Sequence, residues 1–317
     1  MEEEIQFSHT PVLLRECMEA LAIRPDGTYV DGTLGGAGHA CAIAERLGEG
    51  GRLLGLDQDG DAIRAASARL APYGSRVTVV RCNFRELTRV CREQGLSAID
   101  GLLLDLGVSS HQLTEGSRGF AYQKDAPLDM RMDQRSALTA EMVVNEYSED
   151  ALRRVLFDYG EERYSGRIAS AIVSARRKQP IRTTGELVRI IKGALPASAR
   201  EGGHHPAKRT FQALRIEVNG ELDVLEPTLR AAAGLLRPGG RIAVISFHSL
   251  EDRIVKRTFA DLALGCTCPK RLPVCVCGRH PQMRVITRKP ILPSAEEIKS
   301  NPRARSAKLR VAEKLEE

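Results

Sequence analysis

The first third of the chain alternates between short apolar runs and longer segments in which apolar residues recur at helical spacing. Short apolar runs are typical of strands buried on both faces, and the intervening pattern predicts helices that pack on a parallel sheet. The predicted strands cover residues 29–31, 52–57, 77–80 and 101–104. This order predicts the α/β class, in which crossover helices link the strands of one sheet.

The alternation stops at about residue 115 and resumes at about residue 206. Between these points helical spacing dominates, with predicted helices at 148–159, 161–178 and 185–194. A fold that is interrupted after its fourth strand and resumes before its fifth carries an insertion. We therefore predict one discontinuous domain from residues 1–114 and 206–317, with residues 115–205 as an inserted helical domain.

The pattern after the insertion completes the α/β domain. A long helical stretch runs from residue 209 to about residue 236, with breaks expected near Gly220 and at Pro227. Ser249-x-x-Asp252 is predicted to cap a later helix. Further strands are expected at 241–247, 284–287 and 308–311.

The most informative stretch lies between the first two strands. The first strand ends at Asp31, and glycines follow at positions 32, 35, 36 and 38. Glycines permit positive φ angles and let a ligand approach the backbone closely. The second strand ends at Asp57, where an acid in a doubly wound sheet hydrogen-bonds ribose hydroxyls. The stretch therefore predicts a nucleotide or nucleoside site.

The details of this loop favour a cationic nucleoside over a dinucleotide. Gly36-x-Gly38 is followed by Cys41 where the dinucleotide fingerprint has its third glycine, which disfavours a nicotinamide-dependent oxidoreductase. Asp31 would repel a pyrophosphate. It would attract the positive end of S-adenosylmethionine, which carries a sulfonium, an ammonium and a ribose but no phosphate. We therefore predict S-adenosylmethionine as the cofactor, with Asp31 near its positive end and Asp57 at its ribose.

Two more candidate residues follow the third and fourth strands. Phe84 follows the third strand, where an aromatic ring can cover an adenine, although a role as core filler explains it nearly as well. Asp105 closes the fourth strand and is the third acid at a strand end. Ligands of doubly wound sheets bind at these ends, so both residues are candidates for the same site.

The charge permits a nucleic-acid partner. Lys and Arg number 47 against 41 Asp and Glu, for a net charge of +6. Basic residues concentrate in the insertion near Tyr159 and Tyr164, at Arg163, Arg167, Arg176, Arg177, Lys178 and Arg182. The residues alone leave open whether this is a solvated helix face or a phosphate-binding surface. Apolar runs of membrane-spanning length and signal-peptide features are lacking, so we expect a cytoplasmic protein without a membrane partner.

Four of the eight cysteines form a C-x-C-x6-C-x-C pattern, namely Cys266, Cys268, Cys275 and Cys277. Cysteines of a cytoplasmic protein are expected to be reduced. Four thiols so close together can hold zinc tetrahedrally, but the usual spacing is C-x2-C. We assign no metal ligands and leave two alternatives open, a zinc site and a reduced, partly exposed loop. Basic neighbours such as Arg279 and Arg284 indicate an RNA contact in either case.

Several motifs are similar to those of one known family. They are HTPVLL at 9–14, DGTLGGAGH at 31–39, LLLDLGVSS at 102–110, RGFAY at 118–122, PLDMRMD at 127–133, YGEER at 159–163, RTFQALRIEVNGEL at 209–222, ISFHSLEDRIVK at 245–256 and NPRARSAKLR at 301–310. Through them the chain resembles, over nearly its whole length, the RsmH (MraW) family of bacterial small-subunit ribosomal RNA cytosine-N4 methyltransferases. The resemblance implies a class I S-adenosylmethionine-dependent methyltransferase fold, with a Rossmann-like doubly wound sheet and an inserted helical domain that recognises the substrate.

The resemblance also implies substrates, partners and donor-binding residues. The donor is S-adenosylmethionine, and the acceptor is the N4 amino group of a cytosine in the decoding region of 16S ribosomal RNA. The small ribosomal subunit is the expected partner, no DNA is expected, and a homodimer is left open. Carried over by position, the donor-binding residues are Ala37, Gly38, His39, Asp57, Phe84, Asp105 and Gln112. The residues by themselves indicate Asp31, Asp57, Phe84 and Asp105, but not His39 or Gln112.

Asp105 is the predicted catalytic residue. A cytosine amine is a poor nucleophile because its lone pair is delocalised into the ring, and a hydrogen-bond acceptor can localise that pair. Asp105 is our candidate acceptor, with Ser109 or a backbone carbonyl assisting. Many exocyclic-amine methyltransferases have Asp/Asn-Pro-Pro-aromatic here, whereas this chain has Asp105-Leu-Gly-Val. Stacking on the target base is therefore expected from Phe120, Tyr122 or another residue of the insertion.

Two other functions are weighed against this one. Methylation at cytosine C5 needs a cysteine thiolate, and none of the eight cysteines lies near the fourth-strand end in the sequence. Cys82 precedes Phe84 and is expected to be a packing residue. A non-catalytic RNA-binding or ribosome-assembly protein could keep the same fold. Such a protein would have no need to retain acids at all three strand ends.

Overall fold

The computed structural model describes residues 11–200, 205–269, 274 and 276–316. The described chain divides into two compact units. The first unit falls within Met1–Gly107 and Leu222–Glu317, and the second within Val108–Glu221. The second unit starts before residue 115 and ends after residue 205, the two boundaries predicted for the insertion. The role of this unit as a substrate-recognition domain stays a prediction.

The first unit is built on one seven-stranded sheet with the order β3-β2-β1-β4-β5-β7-β6. Strands β1 to β5 are parallel, and β7 runs antiparallel between β5 and β6. The strands are β1 Thr28–Asp31, β2 Arg52–Asp57, β3 Val77–Arg81, β4 Ile99–Asp105, β5 Leu236–Ser246, β6 Met283–Val285 and β7 Lys308–Lys314. This is the sheet of class I S-adenosylmethionine-dependent methyltransferases, so the predicted Rossmann-like methyltransferase fold is confirmed, while the inserted helical domain stays a prediction. The chain order reverses between β1 and β4, which is where ligands bind in such sheets.

Helices cover the sheet and make up most of the second unit. They are α1 Leu14–Leu21, α2 Gly38–Ala44, α3 Gly60–Leu70, α4 Leu87–Glu93, α5 Ser110–Thr114, α6 Ala140–Glu146, α7 Glu149–Asp158, α8 Ser165–Arg176, α9 Thr184–Ala194, α10 Ala197–Arg200, α11 Lys208–Asn219, α12 Leu225–Leu235, α13 Ser249–Leu262 and α14 Ala295–Ser300. Within the described residues, no helix combines the length and apolar character needed to cross a membrane.

The long helical stretch after the insertion breaks only once. Helix α11 ends at Gly220, which takes the left-handed conformation with a φ of 58° and caps the helix as glycine commonly does. Pro227 was predicted to break the stretch again, but this was wrong. It lies in the first turn of α12, where the missing N–H removes no helical hydrogen bond.

The cap of α13 also differs from the prediction. His248, rather than Ser249, is the N-cap residue. Glu251 occupies the third helical position, and its carboxylate accepts the backbone N–H groups of Phe247 at 2.8 Å and His248 at 3.2 Å. Asp252 instead forms ion pairs with Arg310 and Lys308. The predicted cap lay one residue too far along the chain, because serine is a common N-cap residue and histidine is an uncommon one.

Each unit has its own apolar core. Alternate residues of β4 point to opposite faces of the sheet, so Leu103 belongs to one buried cluster and Leu102 and Leu104 to the other. Burial on both faces explains why the strands read as continuous apolar runs. The second unit has a separate cluster formed by the helices α6 to α9 and α11 and by the segment before them.

Candidate active site

Three acids lie together at one edge of the sheet. Asp31, Asp57 and Asp105 are the last residues of β1, β2 and β4, which are adjacent parallel strands. In the register of the sheet, Asp31 pairs with Gly55 of β2 and with Leu103 of β4. The carboxyl ends of parallel strands meet at the same edge, so the three side chains face one region of the first unit.

The glycine loop is tied to both strands that flank β1. The N–H of Gly32 donates to the carbonyl of Leu103 at 2.9 Å, and the N–H of Leu34 donates to that of Leu56 at 3.0 Å. A side chain at Gly32 would meet the Leu104 side chain, so this position needs glycine for close packing. The loop therefore has a defined path across the strand ends.

Asp57 connects the glycine loop to the next helix. Its Oδ2 accepts the N–H of Gly35 at 2.8 Å, and its Oδ1 accepts the N–H of Asp59 at 2.9 Å. Gly35 has a φ of 47°, and the space where its Cβ would lie is open. Burial raises the pKa of Asp57 to about 6 despite these hydrogen bonds. The N–H of Gln58 also donates to this carboxylate. A carboxylate has about four acceptor positions, so its remaining capacity can accept a ligand hydroxyl.

Asp31 and Asp105 are joined through Thr33. The backbone N–H of Thr33 donates to Asp31 Oδ1 at 3.0 Å, and its Oγ1 accepts the N–H of Asp105 at 2.6 Å. Burial, followed by the charge of Asp57, raises the pKa of Asp31 to about 7. Thr33 was not identified from the sequence, although it belongs to the quoted DGT motif.

Asp105 is the most perturbed of the three acids. Burial, followed by the negative charges of Asp31 and Glu251, raises its pKa to about 8. Its Oδ1 is buried and makes no hydrogen bond within the described part of the chain. A buried acceptor without a partner is rare in native proteins and is typical of a functional position. Glu251, which is 1% exposed, was missed because it is distant in sequence.

His39 lies beside Asp105 and is neutral. Its Nε2 is 2.9 Å from the carbonyl oxygen of Val12, so Nε2 carries the proton and donates it. Its Nδ1, 3.7 Å from Asp105 Oδ2, is then an unprotonated acceptor. Burial lowers the pKa of His39 to about 4. A neutral imidazole cannot compensate a carboxylate, which is consistent with the raised pKa of Asp105.

The loop ends at the start of α2. Ala37 is the N-cap residue with a φ of 60°, an uncommon conformation for a residue other than glycine. A side chain at Gly38 would collide with the ring of Pro11. Gly38 is therefore packed tightly against Pro11, and Ala37 turns the backbone into α2. The donor-binding role that the family resemblance implies for both residues stays a prediction.

Phe84 lies next to the glycine loop. It follows β3 as the first residue of a short 3-10 turn, and its half-buried ring packs against the same apolar cluster as Leu87. A Cβ at Gly32 would lie 3.2 Å from the Cβ of Phe84. Asn83 is held by a 2.7 Å hydrogen bond from its Nδ2 to Gln58 Oε1. The ring contributes to the core, and its place beside the loop also suits contact with an adenine.

The site favours a positively charged ligand. Within the described residues, Asp31, Asp57 and Asp105 form no ion pair with a lysine or arginine. Burial without a cation disfavours the charged form, which explains why all three pKa values are raised. A sulfonium or an ammonium placed among them would stabilise the carboxylates, and they would stabilise it.

Gln112 lies in the second unit. It completes a capping box at the start of α5, where the N–H of Ser109 donates to Gln112 Oε1 at 2.9 Å and the N–H of Gln112 donates to Ser109 Oγ at 3.2 Å. The described contacts account for Gln112 and Ser109 as helix-capping residues. Their predicted roles toward the donor and toward Asp105 stay predictions.

The two aromatic residues expected to stack on a base differ in exposure. Phe120 is 6% exposed and belongs to the helical core of the second unit, so it is not available for stacking. Tyr122 is half-buried, stacks on His205 with ring centroids 4.4 Å apart, and meets the edge of Phe211. Of the two, only Tyr122 stays a candidate.

Comparisons with known proteins identify related sequences. A family model described as the MraW methylase family matches residues 6–315. A protein named ribosomal RNA small subunit methyltransferase H from Symbiobacterium thermophilum is 61% identical over 310 residues, covering 98% of both chains. Proteins of the same name from Heliobacterium modesticaldum and Brevibacillus brevis are 59% and 56% identical, each covering 98% of this chain and 99% of their own.

Proposed function

This chain belongs to the MraW methylase family, and we propose that it transfers the methyl group of S-adenosylmethionine to the N4 amino group of a cytosine in small-subunit ribosomal RNA. The observation that carries the proposal is the cluster of three buried or partly buried carboxyl groups at adjacent strand ends, whose pKa values are raised to between about 6 and about 8. Such a cluster suits a cationic donor and disfavours a phosphate-bearing one.

The residues of the first unit fit this donor. S-adenosylmethionine supplies a methyl group already activated by a sulfonium. Asp57 would accept the ribose hydroxyls with its remaining lone pairs, and Asp31 would face the positively charged end. Phe84 would cover the adenine. Ala37, Gly38 and His39 would contact the donor from the glycine loop.

Asp105 would position and activate the acceptor amine. Its buried Oδ1 has no hydrogen-bond partner within the described residues, so it is free to accept an N4–H. A positive charge nearby lowers the pKa of Asp105, because it stabilises the carboxylate. The ionised carboxylate would localise the amine lone pair and then take the proton that the amine loses after methylation. Positioning accounts for much of the rate, since the methyl group needs no further activation.

The described cysteines do not suit methylation at C5 of cytosine. That chemistry requires a thiolate that adds to the base. Cys17 is the cysteine whose pKa responds to the charge of Asp105, but it is fully buried in the first unit. Burial, followed by the charge of Asp105, raises its pKa well above the usual range, so the thiol stays protonated. Cys82 is also buried, at 6% exposure.

The second unit is our proposed RNA-binding surface. Five basic residues of the predicted cluster are exposed, namely Arg163, Arg167, Arg177, Lys178 and Arg182. Arg176 is different, because its guanidinium donates to the carbonyls of Val144 and Tyr147 at 2.6 Å each and so stabilises the end of α6. We therefore exclude Arg176 from the RNA surface. We place the protein in the cytoplasm with the small ribosomal subunit as its partner, expect no DNA partner, and leave a homodimer to direct measurement.

A single assay tests the reaction. The protein is incubated with S-adenosylmethionine carrying a radiolabelled methyl group and with small subunits that lack the modification, and the RNA is then digested to nucleosides. We expect the label in N4-methylcytidine. Label in 5-methylcytidine or in a methylated adenosine would overturn the proposed acceptor. Tight donor binding without labelled RNA, from either subunits or naked RNA, would overturn the proposed substrate.

A further inference from the structure

Three cysteines converge in the segment between α13 and β6. The geometry points to a structural zinc site formed by the thiolates of Cys266, Cys268 and Cys277. One sulfur from each residue lies within 4.8 Å of the others. This site is separate from the three strand-end acids and does not depend on the proposed reaction. Its ligand would be a thiophilic divalent cation, for which thiolate sulfur is the preferred donor.

The sulfur spacing fits tetrahedral zinc. Sγ of Cys277 is 3.7 Å from Sγ of Cys266. Four sulfurs around zinc, each at a Zn–S distance of about 2.3 Å, are separated from one another by about 3.8 Å. The observed separation of these two sulfurs matches the spacing of two thiolates on one zinc ion. Zinc in structural sites takes four donors. Cys275, the fourth cysteine of the sequence pattern, lies outside the described residues. The proposal assigns three of the four donor positions, to the three described thiols.

Backbone hydrogen bonds also favour the thiolate form. The N–H of Cys268 donates to Sγ of Cys266 at 3.4 Å, and the N–H of Val276 donates to Sγ of Cys268 at 3.4 Å. A donor that points at sulfur stabilises the negative charge of a thiolate, and such outer contacts orient metal ligands. Each thiol would lose its proton on binding zinc, so binding would release protons and tighten as the pH rises.

The surrounding segment explains why a metal would be needed. It is closed at its base, where the N–H of Gln282 donates to the carbonyl of Leu262 at 2.8 Å and Arg279 donates to that of Asp261 at 2.8 Å. Among its described residues, Leu264, Val274 and Val276 are 47%, 71% and 78% exposed. Exposed apolar residues contribute little packing energy, and a structural zinc commonly supplies stability in such a segment instead.

The first test is the metal content of the full-length protein. It is expressed with zinc in the medium and purified under reducing conditions without a chelator, and zinc is measured by mass spectrometry. We expect about one zinc ion per chain. Replacement by Co²⁺ should produce the intense near-ultraviolet band of sulfur-to-cobalt charge transfer. Protein without bound zinc that also shows no such band on titration with Co²⁺ would overturn the inference.

Serine variants locate the site. Cys266→Ser and Cys277→Ser should lose the zinc and the cobalt–thiolate band, while Cys41→Ser, a half-buried cysteine in α2, should keep both. Melting curves of the variants show whether the rest of the chain is folded. If Cys266→Ser and Cys277→Ser keep as much zinc as Cys41→Ser, the metal is bound elsewhere and the assignment is wrong.

Discussion

The two compact units hold their charged residues in opposite ways. In the first unit, three acids lie at strand ends, where Asp31 is buried and Asp57 and Asp105 are partly buried, and desolvation raises the pKa of each. In the second unit, the basic cluster of Arg163, Arg167, Arg177, Lys178 and Arg182 lies on the surface. A buried charge acts strongly on a ligand because water does not screen it, whereas surface charges are weak singly and act as a group. The comparison assigns the chemistry to a few residues and RNA affinity to many.

Substitution of Asp105 should have the largest effect. In Asp105→Asn the amide keeps an oxygen but cannot take up the proton from the methylated amine. We expect kcat to fall by about 10²–10⁴-fold, the usual range for loss of a proton-transfer group. Donor affinity, measured by calorimetry, should change much less. A variant that turns over at the wild-type rate would show that Asp105 only packs in the site.

Substitution of Asp57 should affect donor binding rather than the chemical step. Asp57→Asn removes the charge that accepts the ribose hydroxyls, and a hydrogen bond to a charged group contributes about 1.5–3 kcal/mol. We expect the dissociation constant of S-adenosylmethionine to rise by about 10–100-fold. Asp26→Asn, at an exposed acid in the turn before β1, is the matched control. Equal affinities of the two variants would remove Asp57 from the donor site.

Paired substitutions in the second unit should weaken RNA binding moderately. Arg163→Ala combined with Arg167→Ala should raise KM for the ribosomal substrate by about 3–10-fold and reduce the salt dependence of binding, since fewer counterions are released. Donor affinity should not change. Arg230→Ala is the control, because Arg230 is an exposed arginine of the first unit already paired with Glu226 and Asp261. A doubly substituted protein with unchanged KM and salt dependence would place the RNA surface elsewhere.

The pH dependence of stability should show the smallest effect. The folded-state pKa of Asp31, about 7, lies above its unfolded value, so its contribution to stability is complete below about pH 4 and is lost as the pH rises through 7. Asp31→Asn should therefore stabilise the donor-free protein at pH 8 relative to wild type, by about 1–2 kcal/mol, but not at pH 4. Thermal unfolding at the two pH values measures this.

Asp252 supplies a control of opposite sign for that measurement. Burial acts to raise its pKa, but the hydrogen bonds and positive charges of Arg310 and Lys308 together outweigh burial, and the pKa is lowered. Its contribution is present above its unfolded pKa and is lost as the pH falls through its folded pKa. Asp252→Asn should thus destabilise the protein at pH 8. Parallel behaviour of Asp31→Asn and Asp252→Asn would show that the pKa of Asp31 is not raised in the folded protein.

Much of the site could be predicted from the sequence because its parts are local. An apolar run that ends in an acid marks a strand end, and parallel strands bring their ends to one edge. Asp31, Asp57 and Asp105 were identified in this way, as was the glycine loop between the first two. The capping box of Thr183 and Glu186 is local in the same sense, since both partners lie within one turn of helix.

Only the tertiary structure decided how distant residues meet. Val12 sets the tautomer of His39, Thr33 joins two of the acids, and Glu251 adds its charge to Asp105. The periodicity of apolar residues predicts which residues share a face of one helix or strand, whereas these contacts depend on how separate helices, strands and loops pack. The raised pKa values have the same origin, because burial is a property of the folded chain and not of the residue. The sequence by itself therefore determined which groups are present at the strand ends, and packing determined their protonation.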